Sequence, residues 1–157
     1  MKITAIETIR LADFPNIVWL QIHTDEGLVG LGETFFGAEA VSAYLHETVS
    51  PYLLGKDPLC IDKHARTLYP RHGFNSNGAE LRGNSAVDIA LWDIFGQASG
   101  QPIYQLLGGL TRDSIRLYNT CAGYHFIQKK LEPSKGTGQG FTNQPPSGPY
   151  DDLRAFL

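Results

Sequence analysis

Apolar and polar residues alternate over residues 2–11, with Ile3, Ala5, Ile9 and Leu11 on one side, the period of a half-buried strand. Asp13-Phe14-Pro15-Asn16 interrupts the alternation with turn-forming residues. It resumes over 17–24, where Val18, Leu20 and Ile22 share a face, and over 28–35, where Val29, Leu31 and Phe35 do. Asp25-Glu26-Gly27 joins the last two runs as a three-residue hairpin connection, with Gly27 in the left-handed position. These features predict an antiparallel meander of three strands.

From Ala38 the period changes to that of a helix, with Val41, Leu45, Val49 and Leu53 on one face. Ser50-Pro51 predicts a break and restart, and Gly55 a stop. Asp57-Pro58 reads as an N-cap followed by proline at the first helical position, opening a helix that carries Ile61, Ala65 and Leu68. Residues 70–78 are turn-rich. In the stretch Arg82–Gly109, Val87, Ala90, Leu91, Ile94, Phe95 and Ala98 form one helical stripe, while Ala86, Ile89 and Trp92 form a second, narrower one. A surface helix needs one apolar face, so two faces predict burial from two sides. A short helical piece over 103–107 closes at Gly108-Gly109, and Arg112–Cys121 reads as a strand with Ile115 and Leu117 on one face. Residues 129–150 are rich in Gly, Pro, Ser and Thr and nearly empty of aliphatic residues, the composition of a long loop or linker. Asp151 opens an acidic first helical turn that has little stability alone, so the chain is expected to be part of a longer one.

Composition narrows the function classes. The 157 residues are 42% hydrophobic and 18% charged, as in an ordinary folded domain. A net charge of −3 gives no electrostatic reason to expect nucleic acid or a membrane surface. No apolar run approaches a membrane span, the N-terminus reads as a strand and not a secretory leader, and two cysteines provide no disulfide framework. A cytoplasmic protein is the expectation.

The residues yield no complete catalytic constellation. Gly30-Leu31-Gly32 follows a strand, but a dinucleotide loop needs its third glycine where Phe35 stands, so close strand packing or a bulge is the reading. The five histidines lack zinc-ligand spacing. Asp88 and Asp93 point ~140° apart on a helix and cannot share a cation, so each is expected to cap or to pair with a basic residue. Cys121 has no assignable activating partner and reads as a packed, inert thiol.

One motif does specify a family. Ser85-Ala86, Val87, Asp88, Ala90-Leu91, Asp93, Gly96-Gln97, then Pro102-Ile103 and Leu106-Leu107-Gly108 resemble the N-terminal signature of the enolase superfamily, in its mandelate racemase and muconate lactonizing enzyme branch. Gly32-Glu33 at the end of the meander and Ser50–Pro58 are similar as well. Arg82 departs from the pattern, where the family often has alanine, and unsettles the start of the helix. The resemblance implies an α+β fold: a capping domain over 1–110, in which a helical bundle follows the meander, and over 111–157 the first strand of an incomplete, modified TIM barrel.

It also implies an activity. Such enzymes abstract the proton alpha to a carboxylate with a Lys or His base, and Mg²⁺ stabilises the enediolate. Base and metal ligands sit at the ends of later barrel strands, so the resemblance assigns no catalytic residue and no metal ligand to this chain. What it assigns is a lid: two capping-domain loops, matching Leu11–Ile17 and Glu33–Ala38, that close over the barrel mouth. Phe14, Asn16, Phe35 and Phe36 are the substrate-proximal candidates, the aromatics for shape and dryness and Asn16 for a substrate hydroxyl. Arg71, His72, Tyr118 and Asn119 rank below them. The implied parent is an Mg²⁺-dependent acid-sugar dehydratase acting on a small carboxylate, as a homo-oligomer. A racemase or cycloisomerase of the same superfamily, or a standalone non-catalytic α+β binding domain, is the alternative.

Overall fold

A computed structural model of the chain describes residues 1–69 and 78–117. Three strands, β1 (Ile3–Ile9), β2 (Ile17–Thr24) and β3 (Val29–Phe35), form one antiparallel sheet in the order β1-β2-β3. Gly27 turns the β2–β3 hairpin at φ 81°, as its position in the loop requires. Val18, Leu20 and Ile22 are fully buried on the inner face. On β1 the inner residues are Ile3 and Ile6, not the expected Ile3, Ala5, Ile9 and Leu11, and Ile9 and Leu11 are exposed. The reason is a bulge: Ile3 pairs with Thr24 while Ala5 pairs with His23, so one extra residue on β1 reverses the alternation beyond it. The outer edge of β1 is also paired, through Ile3 N–H to Lys56 O (2.9 Å) and Gly55 N–H to Ile3 O (2.8 Å).

Helices α1 (Ala38–Tyr44) and α2 (Ser50–Leu53) are joined by a π-helical turn, Leu45–Val49, and not by a break. Pro51 has no N–H to give. The Ser50 backbone N–H reaches the Leu45 carbonyl, which also accepts the Ser50 hydroxyl at 2.9 Å. Asp57 caps a turn, accepting the Leu59 N–H at 3.0 Å, and α3 (Ile61–Leu68) begins later than its Asp-Pro signal indicates. Of the expected apolar face of α3, Ile61 is buried and Ala65 is exposed. His64 is buried there: Nε2–H donates to Asp57 O (2.8 Å), so Nδ1 accepts from the Tyr52 hydroxyl (3.1 Å).

The long helix α4 (Ala79–Ser99) lies across the sheet, and α5 (Ile103–Leu106) follows. Its buried stripe is Gly83, Ala86, Val87, Ala90, Leu91 and Ile94. Ala86, expected on the second face, is therefore a core contact, and Ala98, expected in the core, is exposed. The close approach of α4 to β3 explains the shift. A Cβ on Gly32 would strike the Ala86 carbonyl, and one on Gly30 the Ala90 carbonyl. The glycine pair is thus a packing device, as the sequence reading preferred. A relay from the Tyr44 hydroxyl to Asn84 Oδ1 (2.9 Å) and from Asn84 Nδ2 to Leu68 O (2.8 Å) ties α1, α4 and α3 together.

After α5 the expected strand does not form within 112–117, where Ile115 and Leu117 are 71% and 83% exposed. A strand exists by pairing, and among the described residues this segment has no strand to pair with. The rest of that prediction, the 129–150 loop, the turn starting at Asp151, and Cys121 lie outside the described residues.

Candidate functional site: two loops and the outer face of α4

Two of the predicted site loops meet. The first, between β1 and β2, folds through Phe14 N–H to Leu11 O (3.1 Å) and Ile17 N–H to Phe14 O (3.0 Å), and Phe14 sets its ring edge-on to Trp19 with centroids 6.4 Å apart. The second leaves β3 at Phe35 and enters α1 through Phe36 (φ 77°) and Gly37 (φ 72°), two successive left-handed residues. The Phe36 N–H donates to the Asn16 carbonyl at 2.8 Å and ties one loop to the other. Phe35 and Phe36 pack edge to face at 6.3 Å and remain 41% and 37% exposed. Asn16 is buried, at 8% exposed. A shallow cleft between the loops is lined by Arg10, Pro15, Asn16, Gly37 and Glu39. Arg71, His72, Tyr118 and Asn119 lie outside the described residues.

One contributor was not among the sequence candidates. Arg82, in the first turn of α4, donates from Nη1 to the Phe35 carbonyl at 2.8 Å and stacks its guanidinium 5.0 Å from the Phe35 ring centre and 5.2 Å from that of Phe36. Its departure from the family motif was the signal that could have found it.

The two acids of the motif have separate fates. Asp93 Oδ2 accepts the Leu31 N–H at 2.8 Å and the Gln97 side-chain amide at 3.0 Å, and Gln97 also donates to Val29 O at 2.7 Å. With Arg82 on Phe35 O, these side chains run along the free edge of β3 and satisfy backbone groups that a fourth strand would otherwise take. Asp93 thus has the structural role expected of it, with a backbone amide in place of a basic residue. Asp88 has neither the expected cap nor an ion pair among the described residues. It lies half-buried beside Ile89, and burial raises its carboxyl above the ordinary aspartate value. A raised folded value means that Asp88 weakens the fold as pH rises through it, and does no harm once the group is protonated in both states. Asp88→Asn is therefore expected to raise the unfolding free energy at pH 7 by less than about 1 kcal/mol, solvent screening being considerable. Equilibrium unfolding should show that gain vanish below a pH of about 4.

The outer face of α4 is open. Ile89 is 52% exposed, Trp92 is half-buried against Phe95, and Leu31, Ile103 and Leu107 border the same cleft. Among the described residues no three His, Cys, Asp or Glu side chains are grouped to hold a metal ion. No helix there is long and apolar enough to cross a membrane.

A three-stranded meander carrying two joined loops, backed by one long motif-bearing helix, defines an α+β capping domain. The chain belongs to the mandelate racemase / muconate lactonizing enzyme family, whose N-terminal domain matches residues 3–108. It is similar to the D-galactonate dehydratase of Verminephrobacter eiseniae, 48% identical over 126 residues, which are 78% of this chain and 32% of that protein. An enolase of the mandelate racemase subgroup from Agrobacterium tumefaciens has a crystal structure that matches with a TM-score of 0.71 at 60% identity, over 74% of this chain and 32% of that one. An enolase from Pantoea ananatis, crystallised with D-gluconate and magnesium, matches with a TM-score of 0.64 at 38% identity, over 71% and 28% of the two chains. The chain spans about a third of the length of the curated relatives it matches.

Proposed function

We propose that this chain is the lid-bearing portion of an acid-sugar dehydratase. The carrying observation is the Phe36 N–H to Asn16 O bond, which makes one body of the two loops assigned to the lid. The similarity to a D-galactonate dehydratase and to a gluconate-bound enolase supports a polyhydroxylated carboxylate as the substrate class. In this reading Phe35, Phe36 and Phe14 form the dry wall of the closed site, and Asn16 positions the loops. Excluding water strengthens every polar contact to the substrate and prevents side reactions. In this reading, as the family resemblance implies, the metal, which would offset the charge of a deprotonated carboxylate substrate, and the base belong to a barrel beyond the described residues. Ile89 and Trp92 form the face that meets this barrel.

The reaction is loss of the proton alpha to the carboxylate and of the neighbouring hydroxyl as water, giving after tautomerisation a 2-oxo-3-deoxy acid. The complete enzyme, supplied with Mg²⁺ and a panel of epimeric hexonates, is expected to release that oxo acid from at least one of them, detected by mass. Turnover confined to hydrophobic acids, with racemisation in place of water loss, would overturn the dehydratase reading.

A further inference from the structure

The Phe35–Phe36 peptide group is held at both ends. Its carbonyl accepts from Arg82 Nη1 at 2.8 Å, and its N–H donates to Asn16 O at 2.8 Å. Fixing this one peptide plane fixes ψ of Phe35 and φ of Phe36, and the latter is the positive value that a side-chain-bearing residue rarely adopts. Phe36 is the one non-glycine residue with positive φ among the described residues, so the strain falls where the peptide is clamped.

We propose that Arg82 is the positioning residue of the loop pair, a latch from α4 that holds Phe36 in its left-handed conformation and thereby sets where the Phe35 and Phe36 rings stand. Three observations carry it together: a charge-assisted hydrogen bond to the strained peptide, cation–π contact with both rings, and anchorage in the first turn of α4. A lysine at this position would supply charge but not the planar fork that reaches a carbonyl while lying over aromatic faces. The same helix is pinned to β3 by Asp93 and Gln97, so the latch is referenced to the sheet. The consequence for substrate selection rests on the lid reading above; the latch itself does not.

Native-state hydrogen exchange on the 157-residue chain tests the latch. In Arg82→Met the Phe36 amide is expected to exchange about tenfold faster, the factor a charge-assisted bond supports, while Leu20 and Ile22 keep their protection. Arg82→Lys should recover only part of that protection. An unchanged Phe36 rate overturns the proposal, and so does a uniform loss at Leu20, Ile22 and Phe36, which would make Arg82 a contributor to global stability alone. In the complete enzyme, Arg82→Lys should shift KM among epimeric substrates more than kcat. If Phe36 responds and KM does not, the latch stands and the lid reading falls.

Discussion

Gly32→Ala is expected to destabilise the fold by about 3 kcal/mol or more, with Gly30→Ala close behind. The added methyl at Gly32 would meet the carbonyl oxygen of Ala86, and at Gly30 the carbonyl oxygen of Ala90 together with Ile94 Cγ1 at 2.7 Å. The main obstacles are backbone atoms of α4, which cannot rotate aside as a side-chain end would. The helix must lift from β3, and the contacts of Ala86, Ala90 and Ile94 with the sheet loosen together. The cost is put at about 3 kcal/mol or more, the upper end of overpacking, against a total stability of roughly 5–15 kcal/mol. Gly37→Ala is the contrast: open space surrounds its Cβ position, and only the left-handed backbone resists, for about 1 kcal/mol. Urea midpoints followed by circular dichroism separate the cases. A Gly32→Ala protein within 1 kcal/mol of the parent would mean that α4 does not lie on β3 as described.

The second large effect concerns the opposite side of α4. Ile89, Leu107 and Leu31 are each half-exposed or more around one cleft, where full burial of such a side chain is worth about 1.5–3 kcal/mol. Left uncovered, a contiguous face of this kind drives association. The 157-residue chain is therefore expected to bind a hydrophobic dye and to elute from size exclusion as a concentration-dependent mixture. Ile89→Glu should reduce dye binding and shift the mixture toward monomer at modest cost in stability, because about half of the replaced side chain is already exposed. A monodisperse, dye-free parent chain would favour the standalone binding domain instead.

Much of this arrangement was legible in the residues because it rests on local periods. The β2 face, the Gly27 hairpin and the helix at 85–99 all follow from spacing that a single element imposes. The errors arose where one element's geometry depends on another. The β1 bulge shifts register against β2, so simple alternation put Ile9 and Leu11 inside. Ala86 was assigned to the outer stripe because the helical period does not reveal which face β3 touches, and two glycines on a different strand decide that. Asp93 was seen to be structural, but its partner, an edge amide, cannot be read from sequence. Arg82 stood out only as a departure from a motif; its contact with a peptide 47 positions earlier is purely tertiary. Of the eight residues nominated for the site, Asn16, Phe35 and Phe36 come together at one place, and Phe14 lies on the adjoining loop against Trp19.

In the proposed enzyme, α4 lies between the capping sheet on one side and a barrel on the other. Trp92 reports on it directly in the 157-residue chain once Trp19 is replaced by Phe, and in the complete enzyme once every other tryptophan is replaced as well. In the 157-residue chain, diluted until monomeric, the emission of Trp92 is expected to be red-shifted and readily quenched by acrylamide. In the complete enzyme it should shift to the blue and lose most of its quenching. Identical emission and quenching in the two proteins would contradict this arrangement.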